Sequence, residues 1–297
     1  MRVTTLDREL RPGFILERFE IDNGAGARIS GQLLLPRDVA PGQRCPAILY
    51  HHWHGDQYDV GTRSLFERAY TPVEPGPDLV RRGYVVMAID AYGFGARSGQ
   101  GPGGPLERGR DEEQSASKFN LWVGRTLWGM IVRDDRIALD YLLLRPEVDP
   151  HRVGATGMSM GATRTWWLMA VDDRISAGVA VACMTRYRDL VEAQKLSAHG
   201  IYYFVPGVLR YFDTEAIIAC IAPRPLLFLT GDRDDGSPVR GIRTIASTVR
   251  RVYALHNAST QFRSRVYPGV GHEYTAAMWQ ETVAWMGKNL EELERRS

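Results

Sequence analysis

Short apolar runs alternate with longer stretches of helical period along this chain. Glu17–Ile21 and Ile29–Leu35 are alternating or apolar runs on either side of Asp22-Asn23-Gly24-Ala25-Gly26, a hairpin signature. Pro46–Tyr50 reads as a short buried strand running into His51-His52-Trp53-His54-Gly55. A brief helix at Pro77–Arg82, ended by Gly83, precedes a strand-length run at Tyr84–Ile89 and a glycine-rich stretch to Gly104. Between Ser117 and Leu144, Val123, Leu127, Ile131, Ala138 and Leu142 recur at steps of four and seven, which predicts one long helix stopped by Pro146. Arg152–Gly161 reads as a strand, a sharp turn with Ser159 at its apex, and the start of a helix. Further strands are expected at Ile175–Cys183, Leu226–Thr230 and Arg263–Tyr267. Helices are expected at Pro238–Leu255 and at the C-terminus, where Met278, Thr282, Trp285, Met286, Leu290 and Leu293 share a face.

Strands alternating with helices imply an α/β chain with a mostly parallel central sheet and helices on both faces. No polar linker or internal repeat divides it. Residues 1–297 are therefore expected to form a single domain, with the aromatic segment 186–212 as a small helical lid insertion.

Composition changes this picture little. Hydrophobic residues at 44% and charged residues at 24% are ordinary for a globular chain, and a net charge of +2 gives no reason to expect nucleic acid or an anionic membrane as partner. No apolar run approaches the roughly 20 residues of a membrane span. Met1–Pro12 is polar and lacks the apolar region of a signal peptide. Cys45, Cys183 and Cys220 have no metal-ligand spacing and read as reduced, buried thiols, so a cytoplasmic location is expected. The oligomeric state is open, and a homo-oligomer is compatible with the sequence.

The chemistry gathers around Gly157-Met158-Ser159-Met160-Gly161. In a Gly-x-Ser-x-Gly elbow the serine is held in strained geometry and its hydroxyl is pushed out above the sheet. A serine hydroxyl needs a base beside it, itself oriented by a carboxylate. In this arrangement the partners follow in the order serine, acid, histidine. The segment after the Leu226–Thr230 strand offers Asp232, Asp234 and Asp235. Asp234 is the choice, since it sits at the turn and leaves Pro238 to open the next helix. Of the histidines beyond the serine, His272 follows the last strand, whereas His199 falls in the insertion and His256 at a helix end. Two backbone donors are expected to face a developing oxyanion: the Met160 amide and one after the Pro46–Tyr50 strand, from Trp53 or His54, with Trp53 preferred. His51, His52 and His54 admit a metal-ligand reading, but the segment has this other role and nothing else indicates a metal. Gly93–Gly99 follows a strand yet does not match Gly-x-Gly-x-x-Gly, which weighs against a dinucleotide site. Neither cofactor nor metal is expected.

Nearly the whole chain resembles α/β-hydrolases of the dienelactone hydrolase and acetyl xylan esterase-like group. The resemblance is carried by His52-Trp53-His54-Gly55, Asp90–Arg97, Asp149–Gly154, the elbow, Ala222-Pro223-Arg224-Pro225 and Gly271-His272-Glu273. It implies an α/β-hydrolase fold and a triad at Ser159, Asp234 and His272. Dienelactone hydrolases proper carry a cysteine nucleophile, so serine at 159 favours ordinary ester hydrolysis. Ala162 stands where many relatives have a second glycine, and Tyr92 replaces the arginine common in peptidase-like relatives. The expected activity is that of a serine carboxylesterase acting on small-molecule acyl esters, acetyl esters among them. A serine peptidase, an acyltransferase and a non-catalytic binding protein are the alternatives. Trp53, Trp122, Trp128, Tyr202, Tyr203 and Phe204 are candidates for a pocket lining or for core.

Overall fold

A strand covered on both faces is apolar along most of its length, and four segments show this. They are β4 (Cys45–His51), β5 (Val85–Ile89), β7 (Ala177–Val181) and β8 (Leu226–Gly231), almost wholly buried. The computed structural model describes residues 1–37, 39–40 and 42–290, so Leu293 lies outside the described residues. With β1 (Arg2–Arg11), β2 (Phe14–Asp22), β3 (Arg28–Pro36), β6 (Val148–Met158) and β9 (Phe262–Tyr267), these segments form a nine-stranded sheet in the order β1-β2-β3-β5-β4-β6-β7-β8-β9. The first three strands and the β3–β5 pairing are antiparallel, and β5 through β9 run parallel.

Helices cover both faces. On one, α3 (Leu127–Leu144), α4 (Met160–Val171), α6 (Thr214–Ala219) and α7 (Val239–Leu255) bury Leu139, Trp166, Ile218 and Ile245 against Phe19, Met87 and Phe228. On the other, α1 (Pro75–Arg81) and α8 (Ala276–Leu290) pack Leu79, Met278 and Met286 on Leu34, Ile48 and Val179. No helix among the described residues is long and apolar enough to cross a membrane. Cys45 and Cys183 are buried, but Cys220 is exposed, contrary to the expectation of three buried thiols.

Three segments differ from the sequence reading. The expected single helix is two, α2 (Gly109–Trp122) and α3. Gly124 at φ +74 turns the chain between them, and Thr126 caps α3 by accepting from the Gly129 amide at 2.9 Å. Residues 186–212 hold one short helix, α5 (Tyr187–Glu192), and then single 3-10 turns. The polar N-terminal segment forms β1, an edge strand paired with β2 alone.

Strand order reverses around β4, which lies between β5 and β6 although β5 precedes β6 in the chain. In open parallel sheets such a switch point leaves a crevice beyond the carboxyl ends of the strands. There β4 delivers His51–Gly55 and β6 delivers Ser159.

Candidate active site

Ser159 joins β6 to α4 with φ 58 and ψ −120, a conformation that costs a non-glycine residue roughly 1–3 kcal/mol. Its amide donates to Val181 O at 2.9 Å, tying the turn to β7. The flanking glycines are required by space. A Cβ on Gly157 would lie 2.4 Å from His51 O, and one on Gly161 would lie 2.0 Å from the same atom. The end of β4 is thus pressed against the elbow. Beneath it, Arg164 grips Asp135 through two bonds of 3.0 and 2.6 Å, both side chains fully buried.

The three aspartates after β8 have separate partners. Asp234 is buried, accepts the Gly236 amide at 2.9 Å, and turns its other oxygen to His272 Nδ1 at 2.9 Å. Asp232 accepts the Gly269 amide at 2.7 Å, and Asp235 pairs with Lys195 at 3.1 Å. His272 lies between β9 and α8 with its ring partly open. Ser159, Met160, Asp234 and His272 all line one cavity of about 810 Å³. Ser159 Oγ makes no hydrogen bond among the described residues. Bonds of this kind often close only around a bound substrate.

The histidines after β4 diverge. His51 donates from Nδ1 to Thr165 Oγ1 at 2.9 Å, the hydroxyl being committed as donor to Gly161 O. His52 donates from Nδ1 to Trp53 O and accepts the Ala91 amide at Nε2. His54 accepts the Asp56 amide at Nδ1 and donates from Nε2 to Glu113 Oε2 at 2.8 Å. Burial holds the imidazoles of His51 and His52 well below their ordinary range. No group of three or more potential ligands that could hold a metal occurs among the described residues. The Trp53 and His54 amides have no acceptor among the described residues, nor does the Met160 amide in the first turn of α4. His54 lines the cavity, whereas the Trp53 ring is buried against Tyr70. In the glycine-rich loop after β5, the Gly99, Gln100 and Gly101 amides donate to the Glu112 carboxylate, which fills the position an anion would take.

Of the aromatic candidates only Tyr202 reaches the cavity. Trp53, Trp128 and Tyr203 are buried in packing, and Trp122 is 88% exposed. Glu113, Tyr58, Cys183 and His199 also line the cavity, and the sequence reading assigned none of them to the site. His199 donates from Nε2 to Gly236 O at 3.0 Å, fastening the 186–212 segment to the Asp234 loop. Burial pushes the Cys183 thiol up to about 11. Glu113, Tyr58 and His199 bond to partners remote in sequence, so no local motif announces them.

The chain matches the sequence model of the Abhydrolase family over residues 68–283. It is 35% identical over 288 residues to "Putative hydrolase YtaP" of Bacillus subtilis (strain 168), covering 96% of this chain and 92% of that protein. Among solved structures, a glucuronoyl esterase from Solibacter usitatus aligns with a TM-score of 0.68 at 17% identity, covering 97% of this chain and 86% of that one. Acetyl Xylan Esterase 1 from Thermoanaerobacterium sp. JW/SL YS485 aligns with a TM-score of 0.63 at 18% identity, covering 97% and 87%.

Proposed function

The chain belongs to the Abhydrolase family, and on that premise we propose that it hydrolyses carboxylic esters through an acyl-enzyme on Ser159. The observation that carries this reading is the 2.9 Å contact between Asp234 and His272 Nδ1, opening into the cavity that Ser159 lines. Asp234 fixes the proton of His272 on Nδ1 and leaves Nε2 free to act as base. As Ser159 Oγ attacks the ester carbonyl carbon, its proton passes to His272. The tetrahedral oxyanion rests on the Met160 amide and on an amide of the segment after β4, Trp53 or His54. Deleting one such donor costs about 3 kcal/mol of transition-state stabilisation. His272 then protonates the departing alkoxide, and the alcohol leaves. Water, giving its proton to His272, attacks the acyl-enzyme. Collapse releases the carboxylic acid and restores Ser159. No step calls on a cofactor.

Small acyl esters, acetyl esters among them, are the proposed substrates, in keeping with the esterases that share the fold. Ser159→Ala should lower kcat on an aryl acetate by about 10⁶, the loss typical of removing a triad nucleophile. Fluorophosphonate labelling, mapped by mass spectrometry, should mark Ser159. A variant that keeps near-wild-type turnover would overturn the assignment.

A further inference from the structure

We propose that Glu113 is a specificity-determining residue of this cavity and that it recognises a hydroxyl group on the ester. The inference rests on the esterase reading above and names the substrate class for the same site. Glu113 lies on α2, 7% exposed, in the cavity wall. Its Oε2 accepts two hydrogen bonds, from His54 Nε2 at 2.8 Å and from Tyr58 Oη at 3.1 Å. Oε1 has no partner among the described residues.

The other carboxylates of the cavity are placed differently. Both oxygens of Asp56 face Arg110, both oxygens of Asp234 are bonded, and Asp235 is exposed and paired with Lys195. Glu113 alone among the described cavity carboxylates is buried with an oxygen to spare. Oε1 opens onto the cavity rather than into the sealed interior, so a donor that arrives with a ligand can displace solvent and bond to it.

Gly200 supports the same conclusion from the opposite wall. Its φ of −71 and ψ of 164 suit any residue, so glycine is not needed there for backbone conformation. A Cβ at that position would stand 3.1 Å from Glu113 Oε1 and 2.9 Å from the Tyr202 ring. Glycine keeps the approach to Oε1 open. A hydroxyl is the donor proposed: Oε2 is already engaged by His54 and Tyr58, so Oε1 needs a single hydrogen bond, and Lys118 of the same helix lines the cavity and opposes a further cation. The His54 ring, stacked on Tyr202 at 4.9 Å, forms the adjoining surface.

Glu113→Gln tests this with an inversion of polarity. The amide oxygen must still accept from His54 and Tyr58, so the NH₂ group takes the place of Oε1 and presents a donor where an acceptor stood. Two ester pairs report on the two sides of the scissile bond: monoacetylglycerol against propyl acetate, and phenyl 3-hydroxybutyrate against phenyl butyrate. The wild-type protein should favour the hydroxylated member of at least one pair by about ten- to a hundred-fold in kcat/KM, the range of a hydrogen bond to a charged group. That ratio should collapse towards one in Glu113→Gln, and in Gly200→Ala, which covers Oε1 while keeping the carboxylate. The ratio is a readout that a merely structural role would not move. Ratios near one in the wild-type protein, or ratios that survive both substitutions, would overturn the proposal. Binding of the same pairs to the Ser159→Ala protein, followed by NMR titration, separates the two readings. A hydroxyl preference in binding without turnover by the wild type sinks the esterase and keeps the recognition. Equal binding within both pairs sinks the recognition alone.

Discussion

Asp234 is almost wholly buried, while the imidazole it holds is partly open to the cavity. That asymmetry suits a fixed carboxylate orienting a ring that must reach a substrate. Asp234→Asn would preserve size but replace the acceptor on His272 Nδ1 with a group that favours the other tautomer. A fall in kcat of about 10⁴ is expected, by analogy with the same change in other triads. Steady-state kinetics on an aryl acetate would measure it, and a loss smaller than ten-fold would remove Asp234 from the role. At this scale the sequence narrows the proposed acid to three aspartates within four positions. What separates them is which amide or cation each one meets, and the Gly269 amide and Lys195 come from elsewhere in the chain. Glu113 is hidden for the same reason: its partners, His54 and Tyr58, stand more than fifty residues away.

The elbow shows how one element constrains another. Because a Cβ at Gly161 would lie 2.0 Å from the backbone of His51, alanine there cannot be relieved by a rotamer change. Either α4 or the end of β4 must move. Gly161→Ala should cost about 1–3 kcal/mol of stability in urea unfolding, as overpacking does, and should depress turnover by shifting the Trp53–His54 segment. An unchanged midpoint would show that this approach is looser than described. The buried strands and the elbow were legible because a strand covered on both faces is apolar along most of its length. The break between α2 and α3 was not legible. The four-residue step from Val123 to Leu127 continues across it, although Val123 is 47% exposed and belongs to no helical face. β1 escaped notice because both of its faces are exposed, so no alternation of apolar residues marks it. In the 186–212 segment aromatic composition foretold contact with the cavity, through Tyr202, better than it foretold helix.

For the whole molecule, the two imidazoles sealed behind the elbow link folding to pH. His51 and His52 are buried, and burial lowers the affinity of both for a proton. The unfolded chain, with histidines near 6.5, therefore binds protons that the folded chain refuses. Stability is complete above that value and declines as pH falls below it, by up to about 1.4 kcal/mol per pH unit for each histidine. Asp135, whose carboxyl is pushed upward by burial, takes up a proton towards the carboxylate range and opposes the decline there. The urea midpoint should accordingly be lower at pH 5.5 than at pH 7.5. A flat profile over that interval would contradict two neutral, enclosed imidazoles.

The posture of Ser159 is upheld from several directions: the carbonyl of Val181 on β7, the His51 backbone at the tip of β4, and α4 behind it. A peptide cut to the Gly157–Gly161 pentad would relax out of it at once, spelling the same letters with none of the tension. The reactivity proposed for that serine would thus be a property that only the finished sheet can confer.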